Sequence, residues 1–326
     1  MTTQPVNTLD ISTLRAKLKG GKLTCTNCGE HTATDVHHRN GNHSDNRPGN
    51  LAAWCKRCHD EHHGISAQLN DLTLVVRQFY AIQDMRKAMS NRIGAYHRLG
   101  YYAEHAGQVF DRMTDLESYI GSVAAEMVKD EPIYEAWLQH VKGIGPILSA
   151  AIITRIGSVD RFPMISSLWA YSGLDVRDGQ APKRRKGEKA NWDAELRTLI
   201  AYKVPSQFIK AKASFGRQLY DRYKAFYEQT HDEKCPVWSH PDAKVNKAGT
   251  KATVDGKGCS RKGHVHNMAT RKLGKVFLSC LWLAWRKLEG LPVTEPYATK
   301  LPGHSHIIRP EDWLDGQEIT HQPKLS

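Results

Sequence analysis

The sequence predicts a mainly α-helical protein with a small α+β module near its N-terminus. Three observations carry that expectation. Residues 25–63 hold two Cys-x-x-Cys pairs around a His-rich insert. Residues 66–129 space apolar side chains three and four apart in two long runs. Residues 266–289 are apolar nearly all round, which marks a buried central helix. The chain has 326 residues and 40% hydrophobic content, enough for two or more domains with real cores.

The formal net charge is +12. Such a balance favours a polyanion, because neutralising phosphates releases counterions and gives affinity without base reading. A basic surface could also serve a membrane, but none is expected as a partner: no lipidation motif is visible, and the longest apolar-rich run, residues 276–285, is too short to cross one. No secretory signal is visible, so the expected location is the cytoplasm of a bacterial or phage-infected cell. There, Cys-x-x-Cys pairs more often bind metal than form disulfides.

Residues 1–20 read as a polar, basic segment with one short apolar stripe, Ile11, Leu14 and Leu18. The module at 21–64 carries the first chemistry. Cys25, Cys28, Cys55 and Cys58 can offer four thiolates to one ion, giving a closed, structural zinc site. His37, His38, His59 and His63 form a second set. His59 and His63 are four apart and share one face of a short helix. Imidazoles suit transition metals and general-base work. A plain nucleic-acid-binding zinc ribbon is the competing reading.

This arrangement resembles the HNH endonucleases of ββα-metal fold over residues 22–64. The matching features are Cys25/Cys28, the His37-His38 pair, Asn50, Cys55/Cys58 and His59. The resemblance implies that His38 is the general base, that His37 and His59 hold a catalytic divalent ion (Mg²⁺ or Mn²⁺), and that Asn50 braces the loop. His63 matches a histidine found in only some members. One such ion suffices for phosphodiester hydrolysis to 5′-phosphate and 3′-hydroxyl ends.

Residues 65–131 follow as two amphipathic helices, with Leu72, Val76 and Phe79 on one stripe and Val109, Met113, Leu116 and Ile120 on the other. They read as an antiparallel hairpin or a dimerising coiled coil, the route to a homo-oligomer. Pro132 opens a helical nucleic-acid-binding domain at 132–291. Near 137–156 a helix runs into Gly143-Ile144-Gly145 and out into a second apolar helix, the pattern of a helix-hairpin-helix. Its glycines permit a tight turn whose backbone N–H groups attract phosphate beside Lys142. The basic run Lys183, Arg184, Arg185 and Lys186 in a Gly/Pro-containing loop is a second candidate for backbone contact.

Residues 137–174, with later segments to about 300, resemble the C-terminal domain of transposases of the insertion-sequence family 110. The features are the Gly-Ile-Gly-Pro turn, the Ile156-Gly157 step leading to Arg161-Phe162, and Ala170-Tyr171-Ser172-Gly173-Leu174. The resemblance implies DNA as partner, with a guide or structured RNA in addition. Two features depart from it. The HNH-like module stands where those transposases carry an RNase H-like domain. Between Gly173 and Trp192 there is no serine to act as the family's nucleophile. Ser172 precedes that interval on a turn expected to be packed.

Residues 191–230 read as helix broken by Pro205. Residues 232–263 read as a polar loop, in which Cys235, His240, Cys259 and His264 could make a second zinc site and give the loop order. The tail, 292–326, is Pro-rich and expected to lie extended over the surface. The leading function is a metal-dependent DNA endonuclease of a phage or mobile element. The alternatives are a catalytically silent nucleic-acid-binding regulator and a recombinase that also joins strands.

Overall fold

Asp10 starts the first helix, α1 (Ile11–Lys19), by accepting hydrogen bonds from the backbone N–H groups of Ser12 at 2.9 Å and Thr13 at 3.0 Å. Bonds from the Ser12 and Thr13 hydroxyls hold its carboxyl well below the usual carboxylate range. The computed structural model describes residues 9–41, 45–62, 66–176, 181–183, 187, 190–293 and 308–314. The chain falls into two units, Met1–Asp71 and Leu72–Ser326.

In the first unit, Leu14 is fully buried against Leu9, Ala33, Leu51 and Ala53. Strands β1 (Asp35–His38) and β2 (Leu51–Trp54) pair antiparallel, with Val36 opposite Ala53 and His38 opposite Leu51. Helix α2 (Lys56–His62) follows without a linker. Its Asp60 is buried, ion-paired with Lys56 and bonded to Asn70 Nδ2 at 2.9 Å.

Helix α3 (Ala67–Arg98) and helix α4 (Glu104–Met127) form an antiparallel hairpin. Gln83 donates to Glu117 at 2.9 Å, Arg86 pairs with the same carboxylate, and Gly121 leaves room for Phe79. The Arg86 bond holds the mostly buried Glu117 below its ordinary pKa. Breaking such a pair leaves a charge unpartnered, which costs more than the pair contributes.

The first arm of the expected helix-hairpin-helix is not one helix. It is α5 (Pro132–Ala136), then a 3₁₀ turn at Leu138–His140. Trp137 between them leaves helical geometry at φ −143° and donates its indole N–H to Pro310 O at 2.9 Å. The second arm, α6 (Pro146–Ile156), forms as expected, with proline at its first position. Helix α7 (Ile165–Tyr171) follows.

Pro205 does not break the next helix either. Helix α8 (Ala194–Thr198) passes through a π segment at Leu199–Lys203 into α9 (Val204–Lys210). Proline lacks the N–H that would close an α-turn, and the wider π turn accommodates that loss without ending the rod. The break comes later, at Ala213 with φ 59°, before α10 (Phe215–Lys234). The stretch expected to be loop holds a sheet: β3 (Lys244–Val245), β4 (Lys251–Val254) and β5 (Lys257–Ser260), antiparallel in that order. Asp255 and Gly256, both at positive φ, make the two-residue turn between β4 and β5.

Helix α11 (Arg261–Leu288) is buried at intervals along its whole length and packs on α10, α9 and the π segment. Gly274 permits the closest approach: a Cβ there would stand 2.1 Å from the carbonyl oxygen of Ile200. Part of the tail corrects the expectation of an extended surface strand. Residues 308–314 carry Trp313 into the core among Phe208, Phe215 and Phe277, with ring centroids 5.1, 5.2 and 5.5 Å away. An amphipathic seven-residue segment with a large indole gains more from burial than from remaining solvated. The rest of the tail beyond Val293 lies outside the described residues. Among the described residues, no helix is long and apolar enough to cross a membrane.

Gly274→Ala is expected to lower stability by about 3 kcal/mol, because a backbone oxygen cannot rotate away from the new methyl group. Thermal unfolding followed by circular dichroism should show Tm lower by about 5–10 °C.

Candidate metal centres and nucleic-acid interface

Cys25 and Cys28 stand in the turn before β1, and Cys55 and Cys58 at the junction of β2 and α2. The four sulfurs lie within 4.8 Å of one another, and Cys28 and Cys55 are 3.9 Å apart. A tetrahedron of sulfurs about 2.3 Å from an ion has edges of about 3.8 Å, so the spacing suits one. The backbone supports negative sulfur. The Cys58 N–H points at Cys55 Sγ at 3.5 Å. Burial pushes the Cys25 thiol up, but the backbone N–H groups of Cys28, Cys55 and Asn27 outweigh it and hold the thiol below its ordinary value. The N–H groups of His31 and Glu30, with the His31 ring, bring Cys28 down to about 5. Cys58 goes the other way: a bond with Asn27 lowers it, yet burial and the neighbouring sulfurs hold it at about 12. The group could bind a structural metal ion, and its charge is shared unevenly before one arrives.

Beside this cluster, the pleat divides the paired histidines. Alternation along β1 gives His37 and His38 different surroundings. His37 lies flat on Trp54, with ring centroids 3.7 Å apart and planes 5° from parallel. Its edge neighbours on α2 are His59 at 5.7 Å and His62 at 4.6 Å. His38 is 6% exposed and meets the following loop, its Nε2 3.1 Å from Asn46 Oδ1. Asn50 ties that loop together. Its side-chain oxygen accepts from the Asn40 N–H at 3.0 Å, and its Nδ2 donates to Asn40 Oδ1 and to Asp45 O, both at 2.8 Å. Asp45 also takes Arg47 in two bonds, at 2.8 and 2.6 Å, which hold its carboxyl far below the usual range. His63 lies outside the described residues. His62 was not singled out from the sequence, although it stands three residues after His59 and so on the same side of α2.

The second cluster joins the far end of α10 to the sheet and to α11. His231, Cys235, Cys259 and His264 bring their ligand atoms within 4.8 Å of one another. Cys235 and Cys259 sulfurs are 3.7 Å apart, and His231 Nε2 and His264 Nδ1 are 3.1 Å apart. Cys259 Sγ is 3.8 Å from His231 Nε2 and 3.3 Å from His264 Nδ1. An ion about 2.3 Å from sulfur and about 2.0 Å from nitrogen implies edges of about 3.8 and 3.3 Å for like atoms. The group could hold a structural metal ion. His231 Nδ1 faces Asp232 Oδ1 at 2.8 Å, and Arg261 sits 3.3 Å from the same oxygen. That partner turns the other nitrogen, Nε2, inward. Burial raises Cys259 to about 11, and burial with His231 nearby lowers His264.

His240 corrects the expected set. Its Nδ1 accepts from the Asp242 N–H at 3.2 Å, its ring is part-exposed, and the fourth position belongs to His231. His231 precedes Cys235 by four residues, which places both on one face at the end of a helix. That spacing was visible in the sequence, but the helix carrying it was expected to end before 231.

The expected phosphate-binding turn forms around Gly143, whose φ of +102° and close neighbours Phe208 and Ala211 exclude a side chain. Gly143 and Gly145 line a cavity of about 700 Å³ with Lys87, Tyr202, Lys203 and His266. Lys142 is exposed and does not line it. Lys183 is exposed, while Arg184, Arg185 and Lys186 lie outside the described residues. Ser172 is fully buried and donates to Trp169 O at 3.1 Å, so its hydroxyl is closed to substrate.

Residues 135–213 match the family model described as Transposase IS116/IS110/IS902 family. The match runs from α5 through the Gly143–Gly145 turn, α6 and α7 to just past α9. No curated protein matches the chain.

Elemental analysis of the purified chain is expected to return two equivalents of metal. Cys235→Ser should reduce this to one, while His240→Ala should retain two. A variant of His231, His231→Ala, that kept both equivalents would contradict the assignment of the fourth ligand.

Proposed function

We propose that the chain is a metal-dependent HNH endonuclease of a phage or mobile element. In this reading the N-terminal unit cuts a phosphodiester and the transposase-like second unit grips the nucleic acid. The observation that carries it is the meeting of His37 on β1 with His59 on α2, beside four converging sulfurs, with His38 next along the strand. His37 and His59, with His63 as a further ligand, would hold a divalent ion such as Mg²⁺ or Mn²⁺. When bound, that ion supplies charge to a non-bridging phosphate oxygen and to the leaving 3′ oxygen. His38 takes the proton of the attacking water. Asn50 acts through the loop: its three bonds tie Asn40 and Asp45 to it and so set the orientation of His38. Both four-ligand groups carry structural zinc.

The second unit contributes phosphate contacts through the Gly143–Gly145 turn and the basic loop that begins with Lys183. The hairpin of α3 and α4 pairs two copies, through a turn that exposes Leu99 and Tyr102. The cell interior, where thiols stay reduced, suits its seven free cysteines.

A recombinase that also joins strands is the second reading, and the family match over 135–213 favours it. Ser172 cannot serve as its nucleophile, because that hydroxyl is sealed.

Supercoiled plasmid, single-stranded DNA and structured RNA, each incubated with Mg²⁺, Mn²⁺ or Ni²⁺, test the proposal. Cutting is expected for the wild type, with loss by about 10²–10⁴-fold in His38→Ala at unchanged metal content. Undiminished cutting by that variant would remove His38 from its role. Joined products in place of cut ones would establish the second reading.

A further inference from the structure

Helix α11 carries Arg271 and Lys272 on one turn and Lys275 on the next. Arg271 Nη2 donates to two carbonyls of the turn after α7, Gly173 O at 3.3 Å and Asp175 O at 3.0 Å. Those bonds fix the guanidinium, and among the described residues its other N–H groups have no acceptor. One turn on, Lys275 Nζ stands 3.9 Å from the centroid of the Trp169 ring. The Trp169 indole N–H is shielded from water and has no acceptor among the described residues. Gly173 in the same turn admits Trp192, since a Cβ there would lie 2.7 Å from its ring.

The cations crowd one another. Arg271 is held below its ordinary value by burial and then by Arg197, and Lys275 by burial and then by Lys272 and Arg271. Asp175 is the carboxylate that opposes both shifts. Among the described residues, none of Arg197, Arg271, Lys272 and Lys275 makes an ion pair, whereas Arg86 and Arg155 in the same unit do. Arg197 stacks over Trp192 and donates to Pro182 O at 2.8 Å, at the root of the basic loop. Tyr202, exposed by 56%, lines the Gly143–Gly145 cavity and lies within electrostatic reach of Arg271. Partly desolvated like charges beside exposed aromatic surface are the composition of a site that awaits an anion.

We propose that α11 and the turn after α7 bind the phosphodiester backbone of a nucleic-acid strand, with Arg271, Lys275 and Arg197 contacting phosphates and Trp169 forming the floor. Lys272 widens the positive rim. The site rests on the nucleic-acid-binding reading of this unit and not on the nuclease reading.

The test measures full-length protein against a labelled 30-nucleotide single-stranded DNA, the same sequence as RNA, and the DNA duplex, over a range of KCl. Arg271→Gln/Lys275→Gln should weaken single-strand binding at least tenfold at low salt. It should also lower the slope of log affinity against log salt by about 1.4, the value for two lost phosphate contacts. Lys244→Gln/Lys247→Gln removes the same charge from the exposed β3 edge and should keep the wild-type slope. Lys275→Gln alone, with a slope lower by about 0.7, provides the answer if the double variant unfolds; Lys275→Arg should keep the slope. Whichever strand shows the larger loss identifies the bound form. Wild-type binding with an unchanged slope in Lys275→Gln and in the folded double variant overturns the site alone. A wild type that binds none of the three overturns the nucleic-acid-binding reading together with the site.

Discussion

Convergence of thiol and imidazole groups from distant segments is the constraint on which both units depend. The first unit has a small apolar core, built around Leu14, Leu51 and Ala53. A core of that size rarely holds a domain by itself, and metals commonly supply the remainder. Here Cys25 and Cys28 converge on Cys55 and Cys58, so an ion held by the four would tie together the two strands that carry His37 and His38 at their open end. The same device recurs in the second unit at the junction of α10, β5 and α11. There a bound ion would give order to a polar stretch with little apolar surface to bury.

The large core of the second unit works by a different means. Phe208, Phe277, Trp137 and Trp313 cluster where α9, α11 and the tail meet. Helix α11 can lie this close only because Gly274 faces the π segment. Buried polar groups are satisfied along its far end: Trp282 donates to Phe162 O at 2.7 Å, and Arg286 donates to Pro292, Val159 and Phe162 carbonyls. The π turn and the glycine are complementary halves of that close approach.

These two organising devices leave the chemistry at edges of the scaffold. His59 and His62 stand one turn apart on α2, which a structural cluster anchors at its start. Asn50 stitches the loop that His38 meets. In the second unit Arg271 and Lys275 lie on α11, the helix that packs on α10, α9 and the π segment. A rigid helix keeps Arg271 and Lys275 four residues apart in fixed register, so the strand proposed to bind there would meet a preformed spacing.

The sequence by itself determined the helical class, the four N-terminal cysteines as a group, and the apolar stripes of α3 and α4. Those features follow from residue type and short-range period, which a chain carries without reference to its fold. Tertiary structure decided the rest. His231 replaces His240 because α10 runs on to Lys234 and aligns 231 with Cys235, a consequence of where a helix ends. Trp313 leaves the surface because an aromatic cavity exists for it, and Pro205 stays inside a helix because a π turn absorbs its missing donor. Each depends on neighbours far away in sequence, and no local pattern records them.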